Sequence, residues 1–451
     1  MGPKAGKDLL GRLTGFLEVT DPVIVFLGLS AILVLVVLAL MGRRFELYFM
    51  LFLAATFSGA IWPSVDAGST LLRWVLIGLL AANCLRLTVY PGTPILLFLG
   101  YVIIGMALIP RSTVPQTSIQ AAALTLGSIL CGISIGGALH TRKDFTKLFV
   151  LTLLTSVPLV VLGLIYLPTL ASSSYGRFSA HLDEATKFVQ MGGMYLPMAL
   201  WGALQPWRRI WRVGCGILFV SLLLLLIASA QRTGTFAGII ACLPLLARRQ
   251  FGGVLIVSML VALVGFGAMR LATFNQRQAE FIVQRFSSLS TTNRTEIWRE
   301  VFRECAKDPI VGHGLASDIY LAGGHRAHNM YLTMWYTTGV PGLMFAVSAI
   351  LVALLKAFYV MTRGPDPWFR DMGRLLFGLT LGYVAASMFT TFTSPANFVT
   401  LMWVVLLVTV ARLADFARKG SSEHDPQTTG TWAYQYVLIP RSALAGMQSP
   451  R

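Results

Sequence analysis

Apolar runs long enough to cross a bilayer recur along nearly the whole chain, and they leave it few folds to choose from. They fall near residues 22–41, 45–61, 70–89, 94–109, 117–139, 145–167, 189–204, 210–230, 233–247, 251–271, 330–361, 374–393 and 396–414, thirteen in all. A hydrocarbon core of roughly 30 Å takes about 20 helical residues to span. Inside lipid every backbone amide must pair, which leaves helices or closed barrels. Barrel strands would be short and alternating, and these runs are neither. The expected fold is all-α, a polytopic membrane bundle. Several runs are short, and an odd number would set the basic N-terminus against its own charges, so about twelve spans (12–13) are expected. The run at 22–41 is followed by Gly42-Arg43-Arg44 and not by a small-residue cleavage site, so it reads as a retained span.

Charge supports the same class. Only 12% of residues are charged, against about 25% in soluble domains. The net charge of +17 is concentrated in alternate short loops: Arg43-Arg44, Arg86, Arg142-Lys143, Arg208-Arg209, Arg248-Arg249, the Arg363–Arg374 region and Arg418-Lys419. That is the pattern of cytoplasmic loops, and it removes the need for a nucleic-acid partner. The intervening loops, 62–69, 110–116, 168–188, 231–234 and 272–329, then face outward. The chain divides into an N-terminal bundle (1–271), a long outer loop (272–329), C-terminal spanning helices (330–416) and a flexible cytoplasmic tail (417–451).

The long loop is the one dense polar stretch. Residues 277–287 read as an amphipathic interfacial helix. Asn293 with Glu296 is a capping-box-like start for TEIWREVFREC, which Asp308-Pro309 and Gly312-x-Gly314 end. Four of the five cysteines lie in apolar runs; Cys305 is alone in this loop. No Cys/His zinc spacing, phosphate loop, dinucleotide fingerprint or paired-carboxylate cluster appears. Neither a metal nor a nucleotide cofactor is expected.

Three of the six histidines, His313, His325 and His328, close the loop. Asn329 suits the N-cap of the helix that follows. His328 then precedes a helix N-terminus, whose dipole disfavours imidazolium, and a neutral imidazole is what a general base requires. Unpaired amides there also attract anions. The same pattern suits an ordinary interfacial helix start. The run 330–361 would make roughly 48 Å of helix, too long for one span, and Thr338–Gly342 (TGVPG) is its natural break. Arg232 joins two apolar runs with almost no loop. It reads either as a functional buried cation or as a snorkelling anchor. Arg294 opens the loop helix, where a cation opposes the dipole unless an anion binds. Arg177 and Arg326 are weaker outer-face candidates, and His313 and His325 read as rim residues.

Three stretches carry a family likeness: QRTGTFAGII (231–240), TNRTEIWREVFRECAKDPIVGHGLAS (292–317) and HRAHNMYLTMWYTTGVPGLMF (325–345). In order and spacing around one long outer loop, the chain resembles the O-antigen ligase and polymerase superfamily of Gram-negative inner membranes. The resemblance implies a GT-C-type glycosyltransferase with a periplasmic active site. The donor would be O-antigen linked to undecaprenyl pyrophosphate. Within the superfamily the short tail and single long loop suit the ligase, whose acceptor is lipid A–core oligosaccharide. A polymerase or protein O-oligosaccharyltransferase is the near alternative, and a non-enzymatic lipid-glycan flippase the distant one. On the family pattern His328 is the catalytic base, and Arg232 and Arg294 bind the donor pyrophosphate. Arg177 and Arg326 join that pyrophosphate set as outer-face cations.

Overall fold

In a computed structural model, residues 34–57, 63–84, 90–166, 185–229, 232–247, 294–320, 327–390 and 398–420 are described. Residues 34–40 are helical, and thirteen further α-helices follow. They are α1 (Arg44–Phe57), α2 (Pro63–Cys84), α3 (Thr93–Ala107), α4 (Pro115–Gly136), α5 (Arg142–Leu154), α6 (Ser156–Tyr166), α7 (Ala185–Leu204), α8 (Arg209–Ala228), α9 (Arg232–Leu246), α10 (Arg294–Lys307), α11 (Met330–Arg363), α12 (Pro367–Ser387) and α13 (Phe398–Gly420). There is no strand among the described residues.

Each apolar run within those residues is helical. Among them, five are long and apolar enough to cross a membrane: Pro115–Gly136, Arg142–Ile165, Arg209–Ala228, Met330–Arg363 and Thr400–Lys419. The chain is a multi-pass helical membrane protein. The run at 145–167 is interrupted at Thr155, between α5 and α6. Pro158 lacks the N–H that Leu154 would otherwise receive, and the hydroxyls of Thr155 and Ser156 donate instead to the carbonyls of Thr152 and Leu153 at 2.6 Å each.

Small residues let the helix backbones close, which is how helices associate where lipid supplies no hydrophobic drive. A Cβ at Gly378 or Gly382 of α12 would meet Ala241 or Ala237 of α9, and one at Gly193 of α7 would meet the Gly234 carbonyl. Larger side chains fill the remaining interior, among them Trp403 stacked flat on Tyr383 at 3.8 Å. Ile103, Ile119, Ile165, Ile217, Met344 and Leu355 project outward, as lipid-facing side chains must.

Among the described residues, loop contacts gather at two ends of the bundle. At one end Arg142 pairs with Asp366 at 2.6 Å and sits over Trp368, Lys147 meets Glu46, and Arg412 donates to the Leu139 carbonyl. This is the basic end. At the other end Arg111 pairs with Asp308 at 3.1 Å, and Ser118 donates to the Leu315 carbonyl. The long-loop segment sits there.

Candidate functional site

α10 is amphipathic and lies on the start of α11. Val301, Cys305 and Ala327 form a small buried cluster with Ile297, Leu332, Trp335 and Tyr336 around it. The Trp298 indole donates to the Ala327 carbonyl at 2.7 Å. That bond pins the residue immediately before His328. Burial pushes the Cys305 thiol up to about 12, with Glu304 adding to the effect. It stays protonated and is no nucleophile.

His328 itself is exposed and left-handed, with φ 47; Ala316 is the other non-glycine residue of this kind among those described. Histidine tolerates this region better than most residues. The conformation reverses the chain just before the helix and leaves the imidazole at the surface. Asn329 caps α11 as expected: its Oδ1 accepts from Tyr331 N and Leu332 N at 3.0 and 3.1 Å, and its carbonyl from Thr333 N. The cap alters one expectation. The amides thought to draw an anion are largely taken by Asn329, so charge at this end must come from arginines.

The break in α11 lies where the TGVPG stretch predicts. Gly339 has φ 66 and ψ −174, and Pro341 has no N–H for the Thr337 carbonyl. The freed carbonyls of Tyr336 and Thr337 accept from His313 N and Gly314 N at 3.0 and 2.9 Å, while Val340 N donates to the Pro309 carbonyl. The Trp335 indole reaches that same carbonyl at 3.1 Å. Residues 309–314 thus clasp the break and hold residues 330–338 as a separate half-helix. A Cβ at Gly312 would lie 2.4 Å from the Thr337 backbone, and one at Gly339 2.0 Å from the Ile310 carbonyl oxygen. His313 stacks flat on Tyr336 at 4.2 Å, its Nδ1 3.1 Å from that residue's carbonyl. It is part of the clasp rather than a bare rim residue.

Two arginines reach the same end. Arg294 opens α10 and donates to the Phe389 carbonyl, just past α12, at 3.2 Å. Arg232 is half-buried at the first position of α9. α9 and α12 run antiparallel, with Ala241 against Gly378 and Ala237 against Gly382. Continuing that register sets Arg232 level with Ser387. Met330, the second residue after His328, accepts from Tyr383 Oη at 3.1 Å and Ser387 Oγ at 3.5 Å. The outer end of α12 is therefore the common mount for Arg232, Arg294 and the His328 half-helix. Arg177, Arg326, His325, Asn293 and the segments 168–184, 251–271 and 277–287 lie outside the described residues. The sequence reading passed over Arg73 and Asp318, each 7% exposed. Arg73 was legible as a cation inside an apolar run; the burial of Asp318 in a polar loop was not.

The structure thus brings an exposed His328, a capped helix start and two cations to one end of the bundle. Residues 217–347 match the family model described as O-antigen ligase. That match spans Arg232, Arg294 and His328, and it makes this segment similar to the O-antigen ligases. No curated protein matches the chain.

Proposed function

We propose that this protein is an O-antigen ligase of GT-C type with about twelve spans. It transfers a glycan from undecaprenyl pyrophosphate to a sugar hydroxyl of lipid A–core oligosaccharide at the periplasmic face of the inner membrane. The observation that carries the reading is the gathering of Arg232, Arg294 and the His328 half-helix around one helix end. His328 removes the proton of the acceptor hydroxyl as its oxygen attacks the anomeric carbon, and the bond to pyrophosphate breaks on the opposite side. The configuration inverts. Arg232 and Arg294 meet the charge that grows on the leaving group, where fixed cations in a water-poor site act strongly. Arg177 and Arg326 complete the pyrophosphate site. Polyprenyl pyrophosphate departs readily, so the mechanism uses no metal or nucleotide.

Lipopolysaccharide gels of a deletion strain test this reading. Loss of the whole ladder, with lipid-linked O-antigen accumulating and restored by the wild-type chain, is the expected result. A single-repeat band would instead make the protein a polymerase, and an unchanged ladder would remove it from this pathway.

A further inference from the structure

Behind the half-helix lies a small chamber where α3, α4, α12, α13 and the outer loop meet, lined by Tyr101, Thr125, Tyr383 and Thr400 with Phe98 and Leu315. Most of its wall is apolar, but four hydroxyls are among its lining residues, and it lies inside the bundle. Tyr101 is 2% exposed, and its hydroxyl makes no hydrogen bond of good geometry. It faces Thr337 of the half-helix, whose own hydroxyl donates to the Thr333 carbonyl at 2.8 Å. One turn nearer His328, the hydroxyl of Thr333 is also buried without a partner. Buried hydroxyls are rarely left so, because the lost hydration is not returned.

Two other lining hydroxyls, those of Thr125 and Tyr383, have spent their protons. Thr125 Oγ1 donates to the Ala121 carbonyl at 2.8 Å, and Tyr383 Oη to Met330 Sδ at 3.1 Å. Each oxygen can still accept. The space suits about one water molecule, which needs two to four polar partners to stay in such a place.

We propose that this chamber is a water site and that Tyr101 is a positioning residue for His328. The bound water accepts from Tyr101 Oη and donates to the oxygens of Thr125 and Tyr383. A hydroxyl that accepts a hydrogen bond becomes a better donor, so the water tightens the Tyr383 bond to Met330, two residues from His328. Three helices are thereby tied to the base of the half-helix. The kinetic part of this inference rests on the role proposed above for His328; the water site does not.

Two measurements on the full-length protein in lipid nanodiscs separate the parts. A cryo-EM map that resolves ordered water should show a peak within hydrogen-bond distance of Tyr101 Oη, absent in Tyr101→Phe. A dry chamber, or an acyl chain in it, overturns the site whatever the enzyme does. In a transfer assay with purified lipid-linked glycan, Tyr101→Phe should lower kcat by about fivefold with the donor KM unchanged, the scale of one lost hydrogen bond. Thr125→Val should do the same and Thr125→Ser should not. Full kcat in Tyr101→Phe, or a loss explained wholly by less folded protein, overturns the positioning role. Water present with no transfer by the wild type would sink the proposed function and leave the site standing.

Discussion

At the scale of single residues, His328 combines three properties that are independent of one another: exposure, a left-handed backbone and a position immediately before a capped helix. None of them serves the packing of the bundle. Replacing the side chain should therefore spare the fold and remove the reaction. His328→Ala is expected to insert at normal levels and lose at least about 100-fold in transfer, the usual minimum for a positioned base. Normal transfer in a strain without another ligase would end the assignment. Cys305 makes the opposite case, a reactive type silenced by its surroundings. Its raised pKa means the fold prefers the protonated thiol. That preference is fully present below the ordinary thiol range and is lost as pH rises from there toward about 12. At pH 8 the folded protein should resist alkylation at Cys305, and denaturant should expose it; rapid native labelling would contradict the burial.

Among the elements, the half-helix of α11 is the part whose geometry is least like an ordinary span. Its break was legible in the sequence because Gly339 and Pro341 act locally, one through φ and the other through a missing amide. The clasp that completes it was not. Nothing in residues 309–314 states that they will cross a break further along the chain and take up the Tyr336 and Thr337 carbonyls. Gly312 was read as a helix terminator, and its tighter constraint is the Thr337 backbone beside it. Gly339→Ala should destabilise the half-helix by about 1–3 kcal/mol, the range for backbone strain, and Gly312→Ala by a similar amount (about 1–3 kcal/mol) through overlap with the Thr337 backbone. Faster hydrogen exchange over residues 330–338, with α12 and α13 unchanged, would reveal it. Uniform protection in both variants would mean that the clasp has slack.

For the whole molecule, the consequential arrangement among the described residues is that Arg142, Lys147 and Arg412 make their contacts at one end and the long-loop segment sits at the other. The positive-inside rule assigns the basic end to the cytoplasm. A cysteine placed at Ile310, which is 68% exposed, should then react with an impermeant maleimide from the periplasm of intact cells. One placed at Lys143 should react only after permeabilisation. The reverse pattern would move the proposed site to the wrong face for a periplasmic acceptor.

The amino-acid sequence alone determined that this chain is a membrane helical bundle and that Asn329 would cap a helix behind His328. These follow from local hydropathy, from backbone chemistry and from side chains acting within a turn or two. Arg232 and Arg294 were singled out by their local settings and by the family likeness. Only the tertiary structure decided that they share a mount with His328 at the outer end of α12. That depends on glycine-to-alanine contacts between α9 and α12, on a bond from Arg294 to Phe389, and on Met330 seated on Tyr383. Such contacts join residues from about 50 to 150 positions apart, and no local rule connects them.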